Sequence, residues 1–284
     1  MTVLQKRFSR RKFFGGLGAF GVTTLSYANI ESDWLDVGRY ELAVGKGKVR
    51  APLKILHLSD LHASHFVSFE FIQHAIELGL KQKPDIVCLT GDYVTRKCSQ
   101  MDRYAEVLSL LPKAAPTYAT LGNHDGGWYT RGRVHGYDTT SDIKSLLERS
   151  NIELLDNHST KLKVRDWNLN MVGVGDFWAR DFEPAKAYKN HGSQDDTTVM
   201  LSHNPDTKDA LQKYPWDVML SGHTHGGQVT IPLLGTPIAP VKDRRFIKGL
   251  HRWDNRWVYV TRGVGNLYGI RVNCRPEVSL LTLV

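Results

Sequence analysis

Five short segments carry seven side chains of the kinds that bind transition metals. They are Asp60 and His62 in Asp-Leu-His, Asp92 in Gly-Asp, Asn123 in Gly-Asn-His-Asp, His203 in Leu-Ser-His-Asn-Pro, and His223 and His225 in Gly-His-Thr-His-Gly-Gly. Two carboxylates, four imidazoles and one amide, with no thiolate, suit Mn, Fe, Zn or Ni and do not choose among them, because selectivity rests on geometry and availability. Two such cations about 3.5–4 Å apart would clamp phosphoryl oxygens and lower the pKa of a shared water. Holding like charges that close requires a bridging carboxylate. Asp92 follows a glycine, which leaves room for a tight turn.

Singly, each piece has an ordinary explanation. Asp60 and Asp92 suit turns at strand ends, and His203 suits a hydrogen-bonded loop. His223 and His225, two apart on an extended segment, point to the same side. For them the ligand reading leads even alone, and jointly the seven are hard to explain otherwise. His57, inside a strand, reads as a satisfied core residue. His65, just behind the first motif, is a candidate for substrate contact. His74, His135, His158, His191 and His251 read as surface residues. The seven tryptophans read as packing anchors, with Trp128 and Trp178 near the loops that would face a substrate.

The elements that must position these groups follow from periodicity. Apolar runs at Lys54–Leu58, Ile86–Leu89 and Thr117–Leu121 read as buried strands, each ending just before a motif. In open α/β sheets the residues past the strand C-termini line one edge, where ligands bind. Ile72, Ala75, Ile76, Gly79 and Leu80 recur at helical spacing. Tyr104–Leu111, ended by Pro112, and Ile143–Glu148 read as further helices. From Asn151 onward short strands take over at Ile152–Leu155, Leu162–Val164, Leu169–Val174, Val199–Ser202, Val218–Leu220, Val258–Thr261 and Val278–Leu283, interrupted by a helix at Asp206–Lys213. The expectation is a four-layer α-β-β-α sandwich of two mixed sheets flanked by helices, with a dinuclear metal site at one end.

The ordered set Asp-x-His, Gly-Asp, Gly-Asn-His-Asp, His and Gly-His-x-His resembles the calcineurin-like metallophosphoesterase superfamily, over roughly Lys54 to Gly227. The Gly-His-Thr-His-Gly-Gly-Gln run, the Ala239-Pro-Val segment and the Thr261-Arg-Gly-Val-Gly…Asn273-Cys-Arg-Pro tail are similar to a bacterial phosphodiesterase branch of it. The same four-layer fold is what the resemblance implies. It also implies that Asp60, His62 and His225 hold one divalent metal, that Asn123, His203 and His223 hold the other, and that Asp92 bridges both. His124 would sit beside the substrate phosphate, where a positioned imidazole can protonate a leaving oxygen. Asp125 would orient it and fix its tautomer.

The N-terminus belongs to something else. Lys6-Arg7-Phe8-Ser9-Arg10-Arg11-Lys12-Phe13-Phe14 precedes an apolar, Gly-rich run to about Leu25 and then Ser26-Tyr27-Ala28. Ser-Arg-Arg-x-Phe-Phe resembles a twin-arginine export signal, with a small-x-small cleavage site after it. The run is short for a membrane span, which needs about 20 residues, although an uncleaved anchor stays open. The domain reading is therefore 1–28 signal segment, 29–52 lead-in segment and 53–284 catalytic domain. The net charge of +8 loses five when Lys6, Arg7, Arg10, Arg11 and Lys12 are set aside, leaving +3. That balance makes no case for nucleic acid. Cys88, Cys98 and Cys274 form no Cys-x-x-Cys pattern.

The expected partners are a small or lipid-linked phosphate ester and the twin-arginine export machinery, with membrane association open. The expected location is the periplasm or the outer face of the inner membrane. Phosphodiester or pyrophosphate cleavage through a metal-bridging hydroxide is the expected reaction. UDP-2,3-diacylglucosamine pyrophosphate hydrolysis in lipid A synthesis, and an inactive metal-bound scaffold, stand as alternatives. Tyr93–Met101, Gly126–Thr140, Phe177–Asp196 and Gly226–Leu250 read as substrate-facing loops. Arg244, Arg245, Arg262, Arg271 and Arg275 are candidates for a second phosphate, since guanidinium offers a two-pronged donor.

Overall fold

The computed structural model describes residues 27–44 and 50–284; the expected signal segment falls almost wholly outside them. Two six-stranded mixed sheets face each other. The first runs in the order β1 (Asp36–Leu42), β12 (Glu277–Leu283), β2 (Leu53–Leu58), β3 (Ile86–Thr90), β4 (Thr117–Thr120), β5 (Glu153–Leu154). The second runs β10 (Gly249–Trp253), β11 (Arg256–Val260), β9 (Val218–Ser221), β8 (Thr197–Leu201), β7 (Trp167–Gly173), β6 (His158–Val164). β2 to β5 are mutually parallel, as are β7, β8, β9 and β11.

The continuous apolar runs have a simple cause: both faces of each sheet are covered, so neither residue of a period-2 alternation can be polar. In β2 Ile55 points into the core between the sheets, whereas Leu56 and Leu58 point to the outer helices. β3 repeats this with Ile86 and Cys88 inward and Val87 and Leu89 outward. In the second sheet Val199, Leu201, Val218 and Leu220 face inward while Met200 and Met219 face outward. His57 takes an inward position of β2, its Nε2 2.8 Å from Thr90 Oγ1. Burial pushes its pKa down to about 3 and keeps the ring neutral.

Three helices cover the first sheet: α1 (Phe69–Leu80), α2 (Met101–Leu108) and α3 (Ser141–Arg149). The hydroxyl of Ser68 caps α1 by accepting from Phe71 N. α2 ends one turn before the expected boundary, since the residue preceding Pro112 is disfavoured in the α region; turns carry the chain on to Ala115. The layer over the second sheet is thinner than expected. It consists of the single turns α4 (Pro184–Ala187) and α5 (Thr207–Ala210) together with loops bearing Trp216 and Phe246. The helix expected at Asp206–Lys213 stops early because Tyr214 precedes Pro215. β1 and β10 lie at sheet edges, where half-exposed polar residues hide the strand pattern. β1, drawn from the expected lead-in segment, pairs in parallel with β12 over its whole length. No described helix is long and apolar enough to cross a membrane.

Candidate metal centre

All five motifs follow the C-termini of parallel strands: β2, β3 and β4 in one sheet, β8 and β9 in the other. The two sets meet across the end of the sandwich. His223 N, after β9, donates to both carboxylate oxygens of Asp60, after β2, at 3.0 and 3.1 Å. His203 Nδ1, after β8, donates to the carbonyl of Thr90 in β3 at 2.6 Å. The motif glycines permit this approach. A Cβ on Gly222 would lie 2.0 Å from Ser59 Oγ and 2.1 Å from Asp60 Oδ2. Gly91, at φ +84°, would bring a Cβ to 2.3 Å from Gly122 N.

The side chains converge as two groups. In one, His62 Nε2 lies 3.0 Å from His225 Nε2, and His225 Nε2 lies 3.3 Å from Asp60 Oδ1. In the other, His203 Nε2 lies 3.2 Å from Asn123 Oδ1 and 3.3 Å from His223 Nδ1. Asp92 stands between them, with Oδ2 3.4 Å from His62 Nε2 and 3.3 Å from His203 Nε2. Its Oδ1 accepts His124 N at 2.8 Å.

Tautomers are set from outside the cluster. Thr95 Oγ1 donates to the carbonyl of His62 and so accepts from His62 Nδ1, which leaves Nε2 as a lone pair. Burial lowers His62 and His223 to about 3 and holds His225 well below the ordinary imidazole range, so these rings are neutral. Burial also raises Asp60 to about 6. It opposes the charges of Asp92 and His203 too, but their mutual attraction outweighs it, holding the carboxyl well below and the imidazolium well above their ordinary ranges. The His62 Nε2 lone pair therefore faces the Asp92 carboxylate at 3.4 Å. His223 Nε2 and His225 Nδ1 are buried with no partner among the described residues. Asp60, His62 and His225, and likewise Asp60, Asp92 and His203, place ligand atoms close enough together to hold a cation. The donor set fits divalent metals.

Backbone strain marks the same residues. Asp60, His62, Asp92, His223 and His225 adopt φ values of 53°, 48°, 56°, 70° and 52°. Non-glycine residues there cost on the order of 1–3 kcal/mol each and persist where the surroundings over-determine them.

Asp125 does something other than orient His124. Its Oδ2 accepts Asp92 N at 2.8 Å and Gly122 N at 2.7 Å, and its Oδ1 accepts Tyr93 N at 2.7 Å. The carboxylate clamps the loops after β3 and β4 together. Burial beside the Asp92 charge pushes it up to about 8. His124 is held by its own backbone N–H on Asp92, and its ring stands edge-on to His62 and Tyr129.

The five candidate arginines also have other work. Buried Arg271 donates to the carbonyls of His225, Arg262, Gly263, Gly265 and Cys274. Arg262 pairs with Glu277 and Asp36, and Arg245 with Asp243. Arg244 donates to the carbonyl of Thr236, and Arg275 to those of Trp34 and Leu35. His65 is exposed. His191 and His251, expected at the surface, are half-buried and bonded to Thr198 Oγ1 and the Lys248 carbonyl.

Trp178 meets the His223 ring edge-on at 4.3 Å, whereas Trp128 is exposed and stacks under Arg180. Asp176 was not among the expected residues. Its Oδ1 accepts Trp178 N and Ala179 N at 2.7 Å, which sets the loop carrying that indole. Gly175-Asp176 follows β7 as Gly91-Asp92 follows β3, and that repetition was the available signal.

Beside the two groups opens a cavity of about 310 Å³. His124, Tyr129, Trp178 and His223 line it together with the apolar Val229, Ile238, Leu267 and Ile270.

A buried site of this donor composition, at the meeting edge of two sheets, belongs to the metal-dependent hydrolases of phosphate esters. The family model described as calcineurin-like phosphoesterase matches residues 53–227. Phosphodiesterase YaeI of Escherichia coli (strain K12) is 41% identical over 280 residues, 97% of this chain and 99% of its own. UDP-2,3-diacylglucosamine pyrophosphatase LpxG of Chlamydia trachomatis is 29% identical over 276 residues, 81% and 83% of the two chains. The uncharacterised metallophosphoesterase YkoQ of Bacillus subtilis (strain 168) is 31% identical over 239 residues, again 81% and 83%. The chain belongs to the calcineurin-like phosphoesterase family and is a hydrolase.

Asp125→Asn separates the two roles for that residue. The amide must turn its NH₂ toward at least one of three backbone N–H donors. The expected loss is about 1–3 kcal/mol of stability, the usual cost of leaving a buried partner unsatisfied. Urea unfolding measures it; unchanged stability would return Asp125 to a role at the His124 ring.

Proposed function

We propose that the protein hydrolyses phosphodiester or pyrophosphate bonds of a small or lipid-linked substrate at a two-metal centre. The observation that carries this is the single Asp92 carboxylate lying between two groups of convergent ligand atoms. Asp60, His62 and His225 would hold one metal, and Asn123, His203 and His223 the other, with Asp92 common to both. When bound, the pair would supply charge neutralisation at the phosphoryl group and a hydroxide near neutral pH.

The chain's own groups do the rest. His124 Nδ1 or Nε2 donates a proton to the leaving oxygen from the cavity wall beside Asp92. Tyr129 against His124 and Trp178 against His223 shield those rings from water. The apolar side chains of the lining favour a substrate with a hydrocarbon part. The relative named for UDP-2,3-diacylglucosamine cleavage has such a substrate, and this supports that class as the second reading. A metal-bound scaffold would have no use for His124, and a nuclease would want a basic groove with stacking aromatics.

We further propose export by the twin-arginine route, on the Ser9-Arg10-Arg11-Lys12-Phe13-Phe14 segment. Arg10→Lys/Arg11→Lys keeps both charges but loses the guanidinium pair. Cell fractionation is expected to find that variant in the cytoplasm and the unaltered chain outside it, shortened near Ala28. An unaltered, full-length chain in the membrane fraction would support an anchor instead.

His223→Ala is expected to lose metal and turnover of an activated phosphodiester together. His124→Ala should keep near-normal metal while its rate falls about 10²–10⁴-fold, the range for a positioned proton donor. Elemental analysis alongside rate measurements distinguishes them. Equal metal loss in both would remove the proton-donor role, and full turnover by chelated, metal-free protein would remove the two-metal reading.

A further inference from the structure

Beyond the ligand groups, the cavity rim carries features that hydrolysis does not use. From Val229 the chain runs out to Ile231, turns over Pro232-Leu233-Leu234-Gly235 and returns through Ile238 to Pro240. Ile231 bridges Gly235, which makes the turn tight. Leu233 is fully exposed at φ 69°, and Leu234 and Ile238 are 77% and 76% exposed. One exposed leucine needs no explanation. A strained leucine at a tip without a single polar side chain does.

Two other segments bring exposed apolar side chains to the same rim. Residues 266–275 line the cavity with Leu267, Tyr268 and Ile270, and Tyr268 is 69% exposed. This stretch is tied to the base of the turn: Thr230 N donates to the Val272 carbonyl at 2.8 Å, and Asn273 Nδ2 to the Thr230 carbonyl at 3.0 Å. Its other flank holds the helical residues 27–32. There Arg271 N donates to the Ala28 carbonyl, and the Glu31 carboxylate accepts Asn273 N and Cys274 N. That short helix exposes Tyr27 and Ile30.

The exposed charge beside the turn is mostly basic: Glu31 is buried on backbone N–H groups and Asp243 is paired with Arg245, while Asp33 at the end of the short helix is exposed. No acidic residue occurs between Gln228 and Val241, or between residues 266 and 275. Exposed Lys242, Arg244 and Arg245 follow, Arg245 paired with Asp243, and Arg244 reaches back to the Thr236 carbonyl of the turn.

We propose that this rim docks on the surface of a lipid bilayer bearing anionic headgroups, with Leu233 and Leu234 entering the acyl boundary. Apolar tips flanked by basic residues bind such surfaces by combining hydrocarbon burial with headgroup attraction. The cavity mouth then opens at the membrane plane. On the hydrolase reading above, the hydrocarbon part of a substrate passes from bilayer to cavity without crossing water.

The test uses the full chain and sedimentation with vesicles of phosphatidylcholine alone or with about 30 mol% phosphatidylglycerol. Binding is expected to the anionic vesicles. Leu233→Ser/Leu234→Ser should lower that partitioning about tenfold or more, with turnover of a soluble phosphodiester unchanged. Because the basic N-terminal run can bind lipid by itself, a second readout follows the turn directly. A polarity-sensitive fluorophore on Leu234→Cys, in a Cys98→Ser background, should shift to the blue when anionic vesicles are added.

Unchanged emission, or a double variant that partitions like its parent, overturns the proposal. Emission already blue-shifted before lipid is added also overturns it, since the turn would then be covered by the chain's own apolar run or by a second copy. Soluble turnover is measured separately, so failure of docking leaves the hydrolase reading standing.

Discussion

The carboxylate of Asp92 is the contact on which the rest of the site depends. One oxygen takes the His124 backbone N–H, and the other lies between imidazoles delivered by different sheets. A buried carboxylate without partners is costly by several kcal/mol, and here its partners must come from loops far apart in sequence. That need explains the surrounding details. Gly91 and Gly122 let the loops after β3 and β4 touch, Asp125 clamps them, and Gly222 lets the second sheet reach Asp60.

The sandwich makes such crowding affordable. Five strained ligand positions sit at the ends of strands whose interiors are fully buried on both faces. The apolar core between the sheets, from Ile55 and Ile86 to Val199 and Leu220, fixes where those strand ends lie. Function is thus concentrated where the backbone is least comfortable and the core beneath it most continuous. Arg271 extends the same support to the far side, gathering five carbonyls from the loops beside His225.

Much of this was legible in the chain because burial on both sides leaves an unmistakable mark. The strands ending before Asp60, Asp92 and Asn123 are readable to within a residue or two, and α1 shows its helical spacing from Ile72 onward, three residues inside its start. The edge strands β1 and β10 are not readable, since solvent on their flanks lets polar residues interrupt the pattern. The arginines misled for a related reason. Sequence displays a guanidinium's charge but hides the carbonyls that fold around it, so Arg271 resembled a phosphate ligand and is a structural hub. The family resemblance implies that Asp125 orients the His124 ring; backbone amides from two loops claim its oxygens instead.

Metal stoichiometry tests the central claim most directly. Elemental analysis of the intact protein, reloaded with manganese and freed of excess, is expected to give two ions per chain. Asp92→Ala, which removes the shared carboxylate while leaving six other ligand side chains, is expected to lose both ions together. One ion per chain in the intact protein, or two retained by Asp92→Ala, would contradict the account.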